Sequence, residues 1–157
     1  MEENMSLFLV RHGISQSPDK DPDPGLTKEG IADIERIAGV AKGYNVFVST
    51  IVHSGKKRAK QTADIFAAAL KPANGPLQRE GLKPLDDVIA FAHHIKREDN
   101  LMVVSHLPFL EKLTTHLITG LTEPAVFQFQ NGGILCLDIN ANRDNWIIKW
   151  TLMPKIS

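Results

Sequence analysis

Four consecutive apolar residues, Leu7-Phe8-Leu9-Val10, run directly into Arg11-His12-Gly13, and another four, Leu101-Met102-Val103-Val104, run into Ser105-His106. Unbroken apolar runs of this length lack the alternation of a half-solvated strand. They are the pattern of strands buried on both faces, as in a parallel sheet. A shorter run, Val46-Phe47-Val48, reads as a further buried strand. Between these runs the apolar spacing becomes helical. Thr27 can cap a helix in which Ile31, Ile34, Ile37 or Ala38, and Ala41 recur, with Gly43 suited to the stop. A second helix places Ala59, Ala63, Phe66, Ala67 and Leu70 inward, until Lys71-Pro72-Ala73-Asn74-Gly75-Pro76 ends it. A third, over about 85–95, carries Leu85, Val88, Ile89, Ala92 and Ile95 on one side.

Pro108 suits the first turn of a fourth helix, because its missing N–H and fixed φ cost nothing there. Toward the carboxyl end, strands around Gly133 to Asp138 and Trp146 to Leu152 are joined by the short Asn140-Ala141-Asn142-Arg143-Asp144 connection, which predicts an antiparallel hairpin at the sheet edge. Strands alternating with helices predict an α/β fold: a three-layer α/β/α sandwich around a mostly parallel central sheet. No repeat or linker divides the chain, so residues 1–157 are expected to form a single domain.

Composition narrows the function more than the fold. A 43% hydrophobic, 23% charged chain is ordinary for a globular domain. Eighteen Lys and Arg balance eighteen Asp and Glu, so no net field draws the protein to nucleic acid or membrane lipid, and neither is expected as a partner. Any anion site must therefore be local. The lone cysteine, Cys136, sits in the alternating stretch Ile134-Leu135-Cys136-Leu137-Asp138 and reads as a small buried hydrophobe. The acidic start, MEENMS, lacks the basic and apolar regions of a signal peptide, and no apolar run reaches membrane-spanning length. A cytoplasmic location is the expectation.

The candidate chemistry lies where the strands end. Ligands of open α/β sheets bind beyond the carboxyl ends of the strands, so His12 and His106 can meet across one site. Arg58 stands near a helix start at the same edge, the Ser15 to Gly25 loop is long enough to border it, and His106 would face the positive end of the helix begun at Pro108. Two arginines, Arg11 and Arg58, and two histidines make a donor set suited to a phosphoryl group, whose oxygens match guanidinium forks. Other phosphate chemistries fail on the letters. Gly25 and Gly30 have P-loop spacing, but Ile31 occupies the lysine position. Asn142 stands where a cysteine phosphatase would need arginine after Cys136, and Asp21-x-Asp23 follows no apolar strand. The remaining histidines have plainer readings. His53 is a loop residue, solvated or at the mouth; His93 and His94 are surface residues beside Lys96 and Arg97; His116 packs a helix. Ser54 shapes its loop, and Lys56 and Lys57 form a solvated turn.

These ordered segments resemble those of the histidine phosphatase, or phosphoglycerate mutase-like, superfamily. Its Arg-His-Gly is Arg11-His12-Gly13, its Leu-Thr-x-x-Gly is Leu26-Thr27-Lys28-Glu29-Gly30, its Arg-Ala-x-x-Thr is Arg58-Ala59-Lys60-Gln61-Thr62, and its second histidine is His106. Within it, the short chain and the segment Gly81 to Asp87 are most similar to the SixA-type phosphohistidine phosphatases. The resemblance implies a phosphoglycerate mutase-like fold and a phosphatase that works through a phosphohistidine on His12. Arg11, Arg58 and His106 would hold the phosphoryl oxygens, with Gly13 at the substrate. No metal or cofactor is implied. Relatives acting on esters supply a carboxylic acid from the segment occupied here by Glu80 to Asp87, which makes Asp86 and Glu80 the candidates for a general acid. The weak acid motif favours protein phosphohistidine, carried on a phosphotransfer domain, as substrate. The alternatives are a small phosphorylated metabolite hydrolysed as an ester, or a non-catalytic phosphoprotein-binding module.

Overall fold

The computed structural model describes residues 5–95 and 98–156. Its sheet has six strands in the order β3-β2-β4-β1-β5-β6: β1 (Met5–Arg11), β2 (Thr50–His53), β3 (Asn74–Gln78), β4 (Leu101–Ser105), β5 (Ile134–Ile139) and β6 (Ile147–Leu152). The four strands from β3 to β1 run parallel, while β5 pairs antiparallel with β1 and carries β6 as the outer edge. Four helices complete the three layers: α1 (Lys28–Gly43), α2 (Lys57–Leu70), α3 (Val88–His94) and α4 (Phe109–Thr119).

Alternation along the unbroken apolar runs explains why both faces are covered. Leu7 and Leu9 of β1, with Leu101 and Val103 of β4, point into a core closed by Val88 and Phe91 of α3 and Phe109, Leu110, Leu113 and Leu117 of α4. Phe8 and Val10, with Met102 and Val104, point the other way, onto Ile34, Ile37, Ala38 and Ala41 of α1 and Ala59, Ala63 and Phe66 of α2. Burying a Leu, Val or Phe side chain contributes about 1.5–3 kcal/mol, so the two central strands anchor both cores. Thr27 caps α1 as expected, its Oγ1 accepting from Gly30 N at 2.9 Å. Gly30 also lets α1 lie on the backbone of residue 14, since a Cβ there would collide with Ile14 O.

Two expectations are corrected, and one strand is added. Val46-Phe47-Val48 is not a strand: Val48 alone is buried, Phe47 is 66% exposed, and the strand begins later, at Thr50. Lys71 to Pro76 does end α2, at Leu70, and β3 then forms without an apolar run to announce it, because Gly75 and Pro76 lie on an edge strand, where a missing N–H is tolerated. The third helix is shorter than 85–95, since Asp87 caps it by accepting from Ile89 N and Ala90 N. Its inward side chains are Val88, Phe91 and the flanking Ile95, whereas Leu85 and Ile89 are exposed. His93 and His94 are exposed at its end, and their expected neighbours Lys96 and Arg97 lie outside the described residues, as do Met1 to Asn4. No helix among the described residues is long and apolar enough to cross a membrane.

Candidate active site

Register brings three strand ends together. Arg11 of β1 pairs with Ser105 of β4, and His53 of β2 pairs with Val104 on the other side of β4. The residues that follow, His12, His106 and Ser54, therefore leave the sheet side by side. His12 N donates to Ser105 O at 3.1 Å, and Ser105 Oγ donates to Leu82 O at 2.6 Å, fixing the end of β4. The rings of His12 and His106 lie 4.9 Å apart between centroids, inclined at 50°.

The tautomer of His12 follows from its partner. Nδ1 is 2.7 Å from Gly13 O, a carbonyl that can only accept, so Nδ1 carries the proton and Nε2 presents a lone pair. Gly13 is held in turn by its own N–H, which donates to Thr62 Oγ1 at 3.1 Å, and the same hydroxyl donates to Arg58 O at 2.8 Å. Arg58 and Thr62 stand one helical turn apart on α2. One hydroxyl therefore ties the loop after β1 to the helix that supplies the arginine. Arg58 Nε reaches His12 Nε2 at 3.4 Å. From the opposite side, Asn131 Nδ2 donates to His12 O at 3.0 Å, and Gly132 N approaches Arg11 O and His12 O at 2.9 and 3.2 Å.

His106 is oriented by Ser54, whose Oγ lies 2.6 Å from His106 Nε2 and also accepts from Lys56 N at 3.3 Å. Arg11 is pinned through Nη1 to Phe129 O at 3.1 Å. Two buried nitrogens of this cluster, Arg11 Nε and His106 Nδ1, have no protein partner. Orphaned buried polar atoms are uncommon, and here both belong to side chains suited to an oxyanion.

Electrostatics keeps both imidazoles unprotonated. Burial pushes His12 down to about 4, aided by the charges of Arg58 and Arg11 and opposed by its bond to Gly13. His106 falls to about 3, through burial first and then through His12, Arg58 and Lys56. The guanidiniums are shifted down by burial as well, partly offset by Glu111 facing Arg11 and by Asp23 facing Arg58. Asp23 belongs to the loop expected to border the site. That loop is strapped onto the start of α2: Asp23 accepts from Lys57 N at 3.2 Å, and Leu26 N donates to Gln61 Oε1 at 2.7 Å.

Of the residues singled out from the sequence, Arg58, His12 and His106 meet directly, and Arg11 flanks them. Gly13 has both backbone groups engaged in orienting His12 and Thr62. The two candidate acids have other surroundings. Asp86 Oδ2 accepts from Lys83 N at 2.8 Å in a turn before α3, and Glu80 lines an exposed hollow with Arg79, Phe91, His94 and Glu98. His53 is buried rather than at the mouth. Ser54 does more than shape its loop, because it holds His106. Thr62, inside the Arg58-Ala59-Lys60-Gln61-Thr62 segment, and Asn131 and Phe129, in and just after the short alternating stretch Phe127-Gln128-Phe129-Gln130, join the site through contacts that their local spacing does not announce. Among the described residues no cluster of three or more His, Cys, Asp or Glu is arranged to hold a metal ion.

A family model described as histidine phosphatase superfamily (branch 1) matches residues 7–86, just over half of the chain. The chain is 26% identical over 157 residues to the phosphohistidine phosphatase SixA of Escherichia coli (strain K12), covering 96% of this chain and 94% of that protein. It superposes on a structure of the protein histidine phosphatase SixA complexed with tungstate with a TM-score of 0.80 at 25% identity, covering 96% and 97% of the two chains. A putative alpha-ribazole-5'-P phosphatase from Escherichia coli shares the fold, with a TM-score of 0.73 at 19% identity over 98% of each chain.

Proposed function

The chain belongs to the histidine phosphatase superfamily and is a phosphatase, and we propose that it removes phosphate from protein-borne phosphohistidine through a phosphohistidine formed on its own His12. One observation carries the mechanism: Nδ1–H of His12 is locked on Gly13 O, leaving Nε2 as a lone pair directed to the space shared with Arg58 and His106. A neutral, oriented imidazole is a competent nucleophile without a separate base. Its Nε2 bonds to phosphorus as the bond to the leaving group breaks. Water then cleaves the intermediate and releases inorganic phosphate.

Arg11, Arg58 and His106 hold the equatorial oxygens. His106 donates through Nδ1 when Ser54 donates to its Nε2, and Arg11 donates through its buried Nε. Preorganised donors of this kind are the main resource in phosphoryl transfer, which asks for positioning and charge stabilisation. In this reading the guanidiniums supply the charge that a metal would otherwise provide. The tungstate complex of the SixA relative, a tetrahedral oxyanion bound to a chain of this fold, supports the same ligand geometry.

Two features favour a phosphorylated imidazole over an ester. A relative that this chain covers almost completely is named a phosphohistidine phosphatase. Asp86 and Glu80 have surroundings of their own, and an imidazole leaving group depends less on an acid than an alkoxide does. The test compares a phosphohistidine-bearing phosphotransfer domain with a panel of phosphate esters, with and without EDTA. The phosphotransfer domain should turn over fastest, and EDTA should leave the rate unchanged. Faster turnover of an ester would replace the substrate assignment, and loss of rate in EDTA would end the metal-free reading.

A further inference from the structure

His53, the last residue of β2, is 4% exposed, and its Nδ1 lies 3.0 Å from Gly55 N. A backbone N–H can only donate, so Nδ1 is unprotonated and the ring's proton is on Nε2. Gly55 makes this approach possible at φ +92, and a Cβ there would run into the side chain of Gln78. The same turn brings Lys56 N to within 3.3 Å of Ser54 Oγ. Ser54, the residue between, is 2% exposed and places Oγ 2.6 Å from His106 Nε2. An imidazole outside the catalytic cluster is thus one hydrogen bond from the turn that sets the orientation of an imidazole inside it.

We propose that His53 is a positioning residue: by accepting the Gly55 N–H on unprotonated Nδ1, it fixes the turn that holds Ser54 against His106, and protonation of His53 releases that hold. The inference rests on the phosphatase reading for what His106 does. Its physical content is a conflict of donors. A proton on Nδ1 would face the Gly55 N–H across 3.0 Å, and two donors cannot share that distance. The turn must shift, and Ser54 with it, so His106 Nδ1 no longer aims at the same point.

The surroundings of His53 set when this happens. From α2, Asp64 favours the cation and Lys60 opposes it, the two being paired at 2.9 Å. From β3, Gln78 pairs in register with His53, and Arg79 N donates to His53 O at 3.0 Å while its guanidinium is held by Glu98. The facing residue of β4, Val104, carries no charge. Burial dominates and keeps His53 below the ordinary imidazole range. The turn is therefore intact at neutral pH and opens on acidification.

The test uses His53→Val, which removes the acceptor, and His53→Asn, whose Oδ1 can accept from Gly55 and does not titrate. With a phosphohistidine-bearing phosphotransfer domain at neutral pH, His53→Val should lose about tenfold in kcat/KM, the worth of one well-placed hydrogen bond. His53→Asn should recover to within about threefold of wild type. On the acid side the wild type should show an ionisation that His53→Asn lacks. Imidazole nitrogen NMR gives an arm independent of turnover: His53 should be neutral with its proton on Nε2, and the His106 ring signals should move in His53→Val but stay in place in His53→Asn. Unmoved His106 signals in His53→Val overturn the proposal, as do equal acid limbs in wild type and His53→Asn. If the wild type itself fails to turn over the phosphotransfer domain, the substrate assignment falls, while the NMR arm still decides the role of His53.

Discussion

Around the amino-terminal ends of the parallel strands, Phe8, Tyr44, Phe47, Trp150 and Leu152 border a cavity of about 570 Å³ that also touches the buried Cys136. At the opposite ends, His12, His106, Arg58 and Ser54 meet in a polar cluster. Both regions contain a buried side chain with nucleophilic potential, and burial acts on the two in opposite senses. Loss of water disfavours the charged form. For the Cys136 thiol that form is the thiolate, and burial followed by the charge of Asp138 pushes it up to about 12. For the His12 imidazole it is the cation, so the same physical cause pushes it down to about 4 and leaves the reactive lone pair free. The apolar cavity therefore houses a silent group, and the polar cluster an armed one. Convergent donors mark where chemistry is possible.

Substitution at the two ends tests that contrast most severely. His12→Ala should lower kcat by about 10⁴-fold or more, because it removes the atom that bonds to phosphorus. Arg58→Ala and His106→Ala remove stabilising donors but leave the nucleophile, and each should cost about 10²–10³-fold. Cys136→Ala should leave kcat within about twofold, since a protonated thiol takes no part. Steady-state kinetics on the phosphotransfer domain ranks all four. A cysteine variant as impaired as the histidine one would erase the distinction between the two ends.

Acidification gives a smaller, graded effect. His12 and His106 titrate in the folded protein at about 4 and about 3, below the ordinary imidazole value of 6.5. The unfolded chain therefore takes up protons first as the pH falls. Their contribution to stability is complete above about pH 6.5 and is lost progressively as the pH drops through the folded values. Denaturant midpoints measured between neutral pH and about pH 4 should fall for the wild type and fall less for a His12→Ala, His106→Ala double variant. Equal slopes would show that these rings are not held neutral by burial.

Legibility in the sequence followed the strength of local patterning. β1 and β4 were visible because both faces are buried, so Leu7 to Val10 and Leu101 to Val104 are unbroken apolar runs. β2 is masked by the neighbouring apolar run Val46 to Val48, since its own two apolar residues, Ile51 and Val52, are bracketed by Thr50 and by His53, which is buried only in the folded sheet. β3 was hidden by Gly75 and Pro76, whose tolerance depends on edge position, a property of topology and not of the segment. The same division runs through the site. His12 and His106 could be read from strand exits, and Arg58 from its place near a helix start at the same sheet edge. Ser54 and Asn131 could not, because a serine that orients an imidazole from a different strand, or an amide that grips His12 O across the sheet, has no local spacing to betray it.

The most direct measurement is to mix the protein with a phosphohistidine-bearing phosphotransfer domain carrying radioactive phosphate, quench in base, and map the label by peptide. An acid-labile, base-stable phosphate on the peptide containing His12, absent in His12→Ala, is the predicted result. A phosphatase that turns over normally with no label at His12, or with His12 replaced, would contradict the proposed nucleophile outright.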